Sequence, residues 1–301
     1  MITIITPTYN RAYTLDKLYN SLLEQTDKSF EWVIVDDGST DDTKAKIAKW
    51  KSKNNKPFNI KYYHQKNGGK HRAVNLAVQK ADYGFCFIVD SDDYLDKNAV
   101  RKIVGWVAVI NDDKKFAGVA GLKAFTDGEK VGGEPATNDE ANYIDATNLE
   151  RKAHNLLGDK AEVYKTEILK KYPFPEIPGE RFLTEAVVWD KIAADGYKLR
   201  WHNEIIYYCE YIDDGLTKSG HKKYLDSFVG FTLYIKQIMK LYGPIDRIKA
   251  ISYYDKLARM KDLGLQDVSN KLGVGKIQII GARVVRTVFE ILSGEGQDGK
   301  D

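Results

Sequence analysis

The chain has 301 residues, 43% hydrophobic and 30% charged, with a formal net charge of +3; this is ordinary for a soluble globular protein of one large domain, or one domain plus an appendage. No uncharged apolar run reaches about 18 residues, which argues against a transmembrane helix, and Met1–Ile5 lacks the basic region and cleavage site of a signal peptide. Cys86 and Cys209 alone are too few for a disulfide framework, so the expected compartment is the cytoplasm.

Ile2-Thr3-Ile4-Ile5-Thr6 is a β-branched run that reads as a strand, with Pro7-Thr8-Tyr9-Asn10-Arg11 as the loop after it. Leu15, Leu18, Tyr19, Leu22 and Leu23 recur at helical spacing. Trp32-Val33-Ile34-Val35 is a second buried strand ending in Asp36-Asp37-Gly38-Ser39-Thr40, and Asp41-Asp42-Thr43 open another helix, where acids favour the first turn. Ile60–Tyr63 reads as a third strand, Asn67-Gly68-Gly69 as a turn and Lys70–Ala81 as a helix. Such alternation predicts βαβ units and a mostly parallel, doubly wound sheet.

Phe85-Cys86-Phe87-Ile88-Val89 is a fourth strand, apolar throughout as strands buried on both faces are. It runs straight into Asp90-Ser91-Asp92-Asp93. Three carboxylates within four residues repel one another unless a cation joins them, and open α/β sheets bind ligands at the C-terminal ends of their strands. A divalent cation bridging to a phosphate suits that position; an acidic turn in which Asp93 caps the next helix is the plainer reading. Three strands end in ligand-capable loops on one sheet edge, which points to a nucleotide. Neither a G-x-G-x-x-G after the first strand nor a G-x-x-x-x-G-K-[ST] is present, so the dinucleotide and P-loop readings lose their support.

Four segments taken together, Ile4–Arg11, Val35–Asp41, Asn67-Gly68-Gly69 with Arg72 and Asn75, and Val89–Asp93, resemble family 2 glycosyltransferases, inverting enzymes of GT-A fold. The likeness is specific over residues 1–96 and weaker to about Glu210. It implies an α/β GT-A domain, Rossmann-like, over residues 1–218; past the resemblance, the residues themselves read as a helical extension at 219–292 and a frayed tail at 293–301. By the same resemblance Thr6, Pro7, Tyr9 and Asp36 surround the base and ribose, with Arg11 and Asp37 as further candidates. Lys70, leading into the third helix, reads either as a contact to the nucleotide or its diphosphate or as a solvated lysine at the helix start. Asp90-Ser91-Asp92 resembles the D-x-D motif, with Asp92 as direct ligand of Mn²⁺ or Mg²⁺ and Asp90 contacting ribose or metal.

Residues 127–142 form a polar, Gly-rich excursion, a surface linker or a mobile loop. Further on, Thr184-Glu185-Ala186 stands where the family holds an acidic pair opening a helix. The resemblance gives Glu185 the role of general base; by itself it reads as an acid at a helix N-terminus. Asp190 lies roughly 140° around the helix from it. Tyr197–His202 and Glu204–Tyr208 read as a closing strand pair. No His or Cys spacing resembles a zinc site; His202 and His221 read as surface or hydrogen-bonded histidines, while the resemblance implies a downstream histidine as a further metal or phosphate contact in some members.

Between Lys222 and Arg286 there are 13 Lys and Arg against 5 Asp and Glu, a net +8. Here Leu225–Ile238 and the row Ile277, Ile280, Val284, Val288, Ile291 form apolar helical stripes. They predict packing or homo-oligomerisation, or a peripheral contact with anionic lipid at the inner face of a membrane. The whole reading is a metal-dependent inverting transfer of sugar, with a UDP-sugar as donor and a saccharide or lipid-linked saccharide as acceptor, and no nucleic-acid partner. The alternatives are a nucleotidyltransferase or a non-catalytic sugar-nucleotide-binding scaffold.

Overall fold

The computed structural model describes residues 1–135, 142–210 and 220–293. The chain divides into two compact units, Met1–Arg181 with Val188–Lys218, and Phe182–Val187 with Ser219–Asp301.

The first unit opens with β1 (Ile2–Thr8), α1 (Leu15–Leu23), β2 (Phe30–Asp36), α2 (Thr43–Lys51), β3 (Asn59–His64), α3 (Lys70–Lys80) and β4 (Phe85–Ile88). Then come β5 (Tyr94–Leu95), α4 (Ala99–Ile110), β6 (Phe116–Phe125), β7 (Tyr143–Ala146), a 3-10 turn at Asn148–Glu150, β8 (Lys160–Lys165), α5 (Thr166–Lys171), α6 (Ala186–Ala194, its first two residues assigned to the second unit) and β9 (Lys198–Cys209). Eight strands lie in the order β3-β2-β1-β4-β8-β6-β9-β5, and β7 pairs with β9.

The β3-β2-β1-β4 half is parallel throughout, as expected from strands joined by helical crossovers; β1 and β2 are buried along their whole length, and β3 forms the edge. Beyond β4 the sheet is mixed: β8 runs antiparallel to both β4 and β6, while β6 and β9 are parallel. The two segments expected as a closing pair instead form one strand, Lys198–Cys209. Register shifts against β6 let that strand bend, which accounts for the break in its hydrophobic alternation.

Side chains of alternate strand positions build the core. Ile2, Ile4, Trp32 and Ile34 pack with Leu15, Leu18, Tyr19 and Trp50, and Tyr19 stacks on Trp50 with ring centroids 4.3 Å apart. Cys86 and Cys209 are buried free thiols. His202 of β9 is also buried, its ring lying flat on Trp106 at 4.0 Å. Its Nε2 has no hydrogen-bond partner among the described residues, and burial, with Arg200 adding to it and Asp145 opposing it, pushes its pKa down to about 4.

Since this folded pKa lies below the unfolded one, the unfolded chain binds the extra proton first. The contribution is complete above the unfolded value of about 6.5 and is lost as pH falls from there toward 4. Thermal melts between those limits should show up to about 3 kcal/mol of lost stability, and His202→Phe should flatten that part of the profile. An unchanged slope in the variant would remove His202 as the cause.

The second unit carries α7 (Lys222–Asp226), α8 (Phe228–Leu241), α9 (Pro244–Arg259), α10 (Leu265–Leu272) and α11 (Lys276–Ser293). Pro244 opens α9 at its first turn, where its missing N–H costs nothing. Gly273 ends α10 in the left-handed region at φ 70. Phe231, Ile235, Tyr254, Leu257, Val268 and Ile279 form the unit's own core. Asp255, fully buried, accepts both Arg283 Nε and Nη2 at 2.7 and 2.6 Å. On α11 the packed residues are Ile279 and Ala282, whereas Ile277, Ile280, Val284 and Val288 of the sequence stripe are exposed. The Arg283–Asp255 pair orients the helix and turns that stripe outward. Of the expected tail, residues 294–301 lie outside the described residues, as do 136–141 of the polar excursion.

Candidate active site

The parallel half of the sheet brings the loops after β1, β2 and β4 to one edge. The first two are tied together by short polar side chains. Asn10, at φ 51, receives the Thr40 amide on Oδ1 at 2.8 Å, and its own amide donates to Ser39 Oγ at 2.9 Å. The Ala12 amide donates to Asp41 Oδ2 at 3.0 Å. A left-handed Asn suits such a turn because its side chain bonds the backbone locally.

Asp36 ends β2 almost fully buried. Its carboxylate accepts the Ser39 amide and the Tyr62 hydroxyl, both at 2.7 Å, and that arrangement pushes the Tyr62 phenol upward through burial and then Asp36. Two acceptor positions remain on a carboxylate so engaged. Asp37 is also buried, but faces the other way: it accepts Gln65 Nε2 at 2.7 Å and the amides of Gly68 and Gly69 at 2.9 and 2.7 Å. This carboxylate holds the Gly-Gly turn. Gly69, at φ +100, is needed there, since a Cβ would fall 1.9 Å from the Arg181 carbonyl oxygen.

The turn launches α3, and Lys70 at its first position places Nζ 2.6 Å from Asp90 Oδ1. Tyr9 is exposed at the end of β1 and Pro7 is buried. Thr6 corrects one expectation: it is fully buried, and its hydroxyl accepts Trp32 Nε1 at 2.9 Å. Strand alternation turns it into the core with Ile2 and Ile4, so its side chain serves the fold and not a base pocket.

In the acidic loop the three carboxylates have different surroundings. Burial raises the Asp90 pKa, but Lys70 and Lys123 outweigh it and hold the group below the ordinary carboxylate range. Asp92 is pushed up by burial and by Asp90, partly opposed by Arg11 and Lys70. Asp93 is pushed up to about 7 by burial and Asp90 against a Tyr207 hydrogen bond. Ser91 is buried and its carbonyl accepts Thr14 Oγ1 at 2.9 Å.

Asp90 and Asp92 thus offer hard oxygen donors whose mutual repulsion Lys70, Lys123 and Arg11 relieve only in part at Asp92, which fits a divalent cation. Among the described residues no group of three or more His, Cys, Asp or Glu side chains is arranged to hold a metal. Two carboxylates can hold an ion whose remaining positions are filled by phosphate oxygens and water, as Mg²⁺ is held in phosphate-handling sites.

Sequence reading did not single out Lys123 of β6 or Tyr207 of β9, and no local motif marks either; only the β6–β9 register, which pairs them, brings them to the acidic loop. An open groove of about 480 Å³ beside α3, lined by Gln65, Lys66, Arg72, Asn75 and Glu176 among others, includes none of the loop carboxylates. Glu185 belongs to the second unit, one residue before α6. There the Ala186 carbonyl accepts Gln237 Nε2 at 3.0 Å and the Phe182 amide donates to Ser227 Oγ at 3.1 Å. Asp190, in the first unit, is buried and accepts Asn148 Nδ2 at 2.7 Å. His221 is bonded through Nδ1 to the Tyr253 hydroxyl at 2.9 Å.

Residues 3–132 match the family model described as Glycosyl transferase family 2. Over 124 residues the chain is 33% identical to the poly(ribitol-phosphate) beta-N-acetylglucosaminyltransferase TarS of Staphylococcus aureus, a match covering 40% of this chain and 21% of that protein. It is 36% identical over 113 residues to the glycosyltransferase GlyA of Streptococcus pneumoniae, covering 36% and 16%. The matches thus span less than a quarter of these relatives' length.

Among solved structures, S. aureus TarS 1–349 in complex with UDP-GlcNAc superposes with a TM-score of 0.57 at 22% identity, covering 86% of this chain and 72% of that one. Mannosyltransferase PcManGT from Pyrobaculum calidifontis, in complex with GDP-Man and Mn²⁺, gives 0.55 at 17% identity, covering 95% and 75%. The fold is that of GT-A glycosyltransferases.

Proposed function

We propose that this chain, whose residues 3–132 match the model of glycosyl transferase family 2, transfers a sugar from a UDP-sugar to an acceptor hydroxyl with inversion, using Mn²⁺ or Mg²⁺. The acceptor would be a saccharide or lipid-linked saccharide in polysaccharide or glycan synthesis. The observation that carries this reading is the acidic loop: Asp90, held ionised by Lys70, next to Asp92, whose charge burial opposes. A site that concentrates such carboxylates at the end of a parallel strand is built for a cation-bound diphosphate.

Each residue then has a task. Tyr9 offers an aromatic face to the base, and Asp36 accepts a ring N–H with its remaining lone pairs. Arg11, Lys70 and the Ser91 loop line the diphosphate. Asp92, with Asp90, would hold the metal, which neutralises charge on the departing diphosphate as a Lewis acid. The acceptor oxygen attacks the anomeric carbon as the bond to the diphosphate breaks, and Glu185 takes the acceptor's proton. Asp190 is unsuited to that role because it is sealed in the core on Asn148.

Among the described residues no helix is long and apolar enough to cross a membrane. The exposed row on α11, in a strongly basic segment, is where contact with a membrane surface or a second copy would form.

Calorimetric titration of UDP, GDP and dTDP, each with Mn²⁺ and with EDTA, tests the donor site. Metal-dependent binding of UDP is expected. Metal-dependent binding of GDP or dTDP instead would change the donor but keep the reaction, and no binding of any nucleotide would overturn the reading in favour of a scaffold.

A further inference from the structure

The acidic loop is not held by its own strand alone. Between β4 and β5 it passes beneath Tyr207, a fully buried residue of β9. The Tyr207 hydroxyl donates to Asp93 Oδ2 at 2.6 Å and accepts the Asp90 amide at 3.0 Å. The other Asp93 oxygen accepts the Glu210 amide at 3.2 Å, and Leu95, just past the loop, pairs with Tyr207 across β5 and β9. Above the ring, Lys123 Nζ sits 4.3 Å from its centroid.

One phenol therefore spans both ends of the Asp90–Asp93 turn. Its ring has a cation on one face and its oxygen is used both as donor and as acceptor. A buried hydroxyl with both functions filled is rigid, because moving it would leave a carboxylate and an amide unsatisfied.

We propose that Tyr207 is the positioning residue of the acidic loop: by bridging the Asp93 carboxylate and the Asp90 amide, with Lys123 on its ring, it fixes the direction in which Asp90 and Asp92 point. The inference rests on the function proposed above for those two carboxylates. Asp93 is then an anchor for the loop and not a ligand, which separates it from its two neighbours. Tyr207 itself touches no substrate; it acts through the loop. The arrangement also gives β9 a task in a loop that the sequence places between β4 and β5.

Two measurements on the full chain test this. Hydrogen exchange followed by mass spectrometry compares wild type with Tyr207→Phe, which keeps the ring and removes the oxygen. Peptides covering residues 90–95 should exchange about tenfold faster, roughly the loss expected for one buried hydrogen bond, with β1 and β2 unchanged. Titration of UDP with and without Mn²⁺ should show that the variant loses most of the metal-dependent gain in affinity while its metal-free affinity stays at the wild-type value.

Unchanged exchange at 90–95, or uniformly faster exchange through the sheet, would overturn the proposal, as would a full metal-dependent gain in the variant. If wild type binds no UDP under either condition, the functional reading fails, and the exchange comparison still decides whether Tyr207 holds the loop. Should Tyr207→Phe not fold, Asp93→Ala removes the other half of the bridge and is judged by the same outcomes.

Discussion

Asp92→Asn is expected to lower sugar transfer by about 10²–10⁴-fold, the scale of the several kcal/mol that a Lewis-acid cation supplies to a departing diphosphate. Asn keeps the shape and one oxygen but not the charge, and a hard cation discriminates strongly between the two. The same substitution should not lower the thermal midpoint. Burial and the neighbouring Asp90 hold the Asp92 pKa above its ordinary value, so at neutral pH its charge works against folding, and removing it relieves a repulsion. Loss of activity together with a retained or raised midpoint is the signature of a site that trades stability for chemistry. A variant that transfers sugar at the wild-type rate would remove Asp92 from the metal site, and a collapsed midpoint would reassign it to the fold.

Much of this arrangement was legible in the sequence because parallel strands announce themselves. Ile2–Thr6, Trp32–Val35 and Phe85–Val89 are unbroken apolar or β-branched runs, each followed by polar residues, and the structure brings their ends to one edge. Less was legible where a residue's task depends on which face it presents. Thr6 sits near the right end of β1, but the pleat turns it inward to Trp32. Asp36 and Asp37 are adjacent and chemically identical, yet alternation sends one toward Tyr62 and the other under the Gly-Gly turn.

Tyr207 and Lys123 were illegible for a different reason. Their link to Asp90 and Asp93 runs through the β5–β9 and β6–β9 pairings, contacts between segments far apart in the chain, and β9 itself bends through irregular register that erases the period-two signal. On α11 the periodicity found the apolar row but not its direction. The pairing of Arg283 with Asp255 decides which side packs.

Glu185→Gln should leave nucleotide and metal binding at wild-type values while lowering the transfer rate by about 10²–10⁴-fold, the range for loss of a positioned general base. Gln preserves size and hydrogen bonding at the start of α6 but takes no proton from an acceptor hydroxyl. If the reaction ran without a base, the change would cost little. If Glu185 instead only favoured the helix N-terminus, the expected loss would be about 0.3–1 kcal/mol of stability with turnover intact. The two roles therefore separate cleanly in one pair of measurements, turnover and melting. Retained turnover in Glu185→Gln beside lost turnover in Asp92→Asn would place the base elsewhere and leave the class of reaction standing. Asp190 would not inherit the role, since its carboxylate is buried on Asn148 and closed to an acceptor. Lost turnover in both variants, with metal-dependent nucleotide binding lost only in Asp92→Asn, would divide the labour as proposed: one carboxylate for the leaving group's cation, the other for the nucleophile's proton.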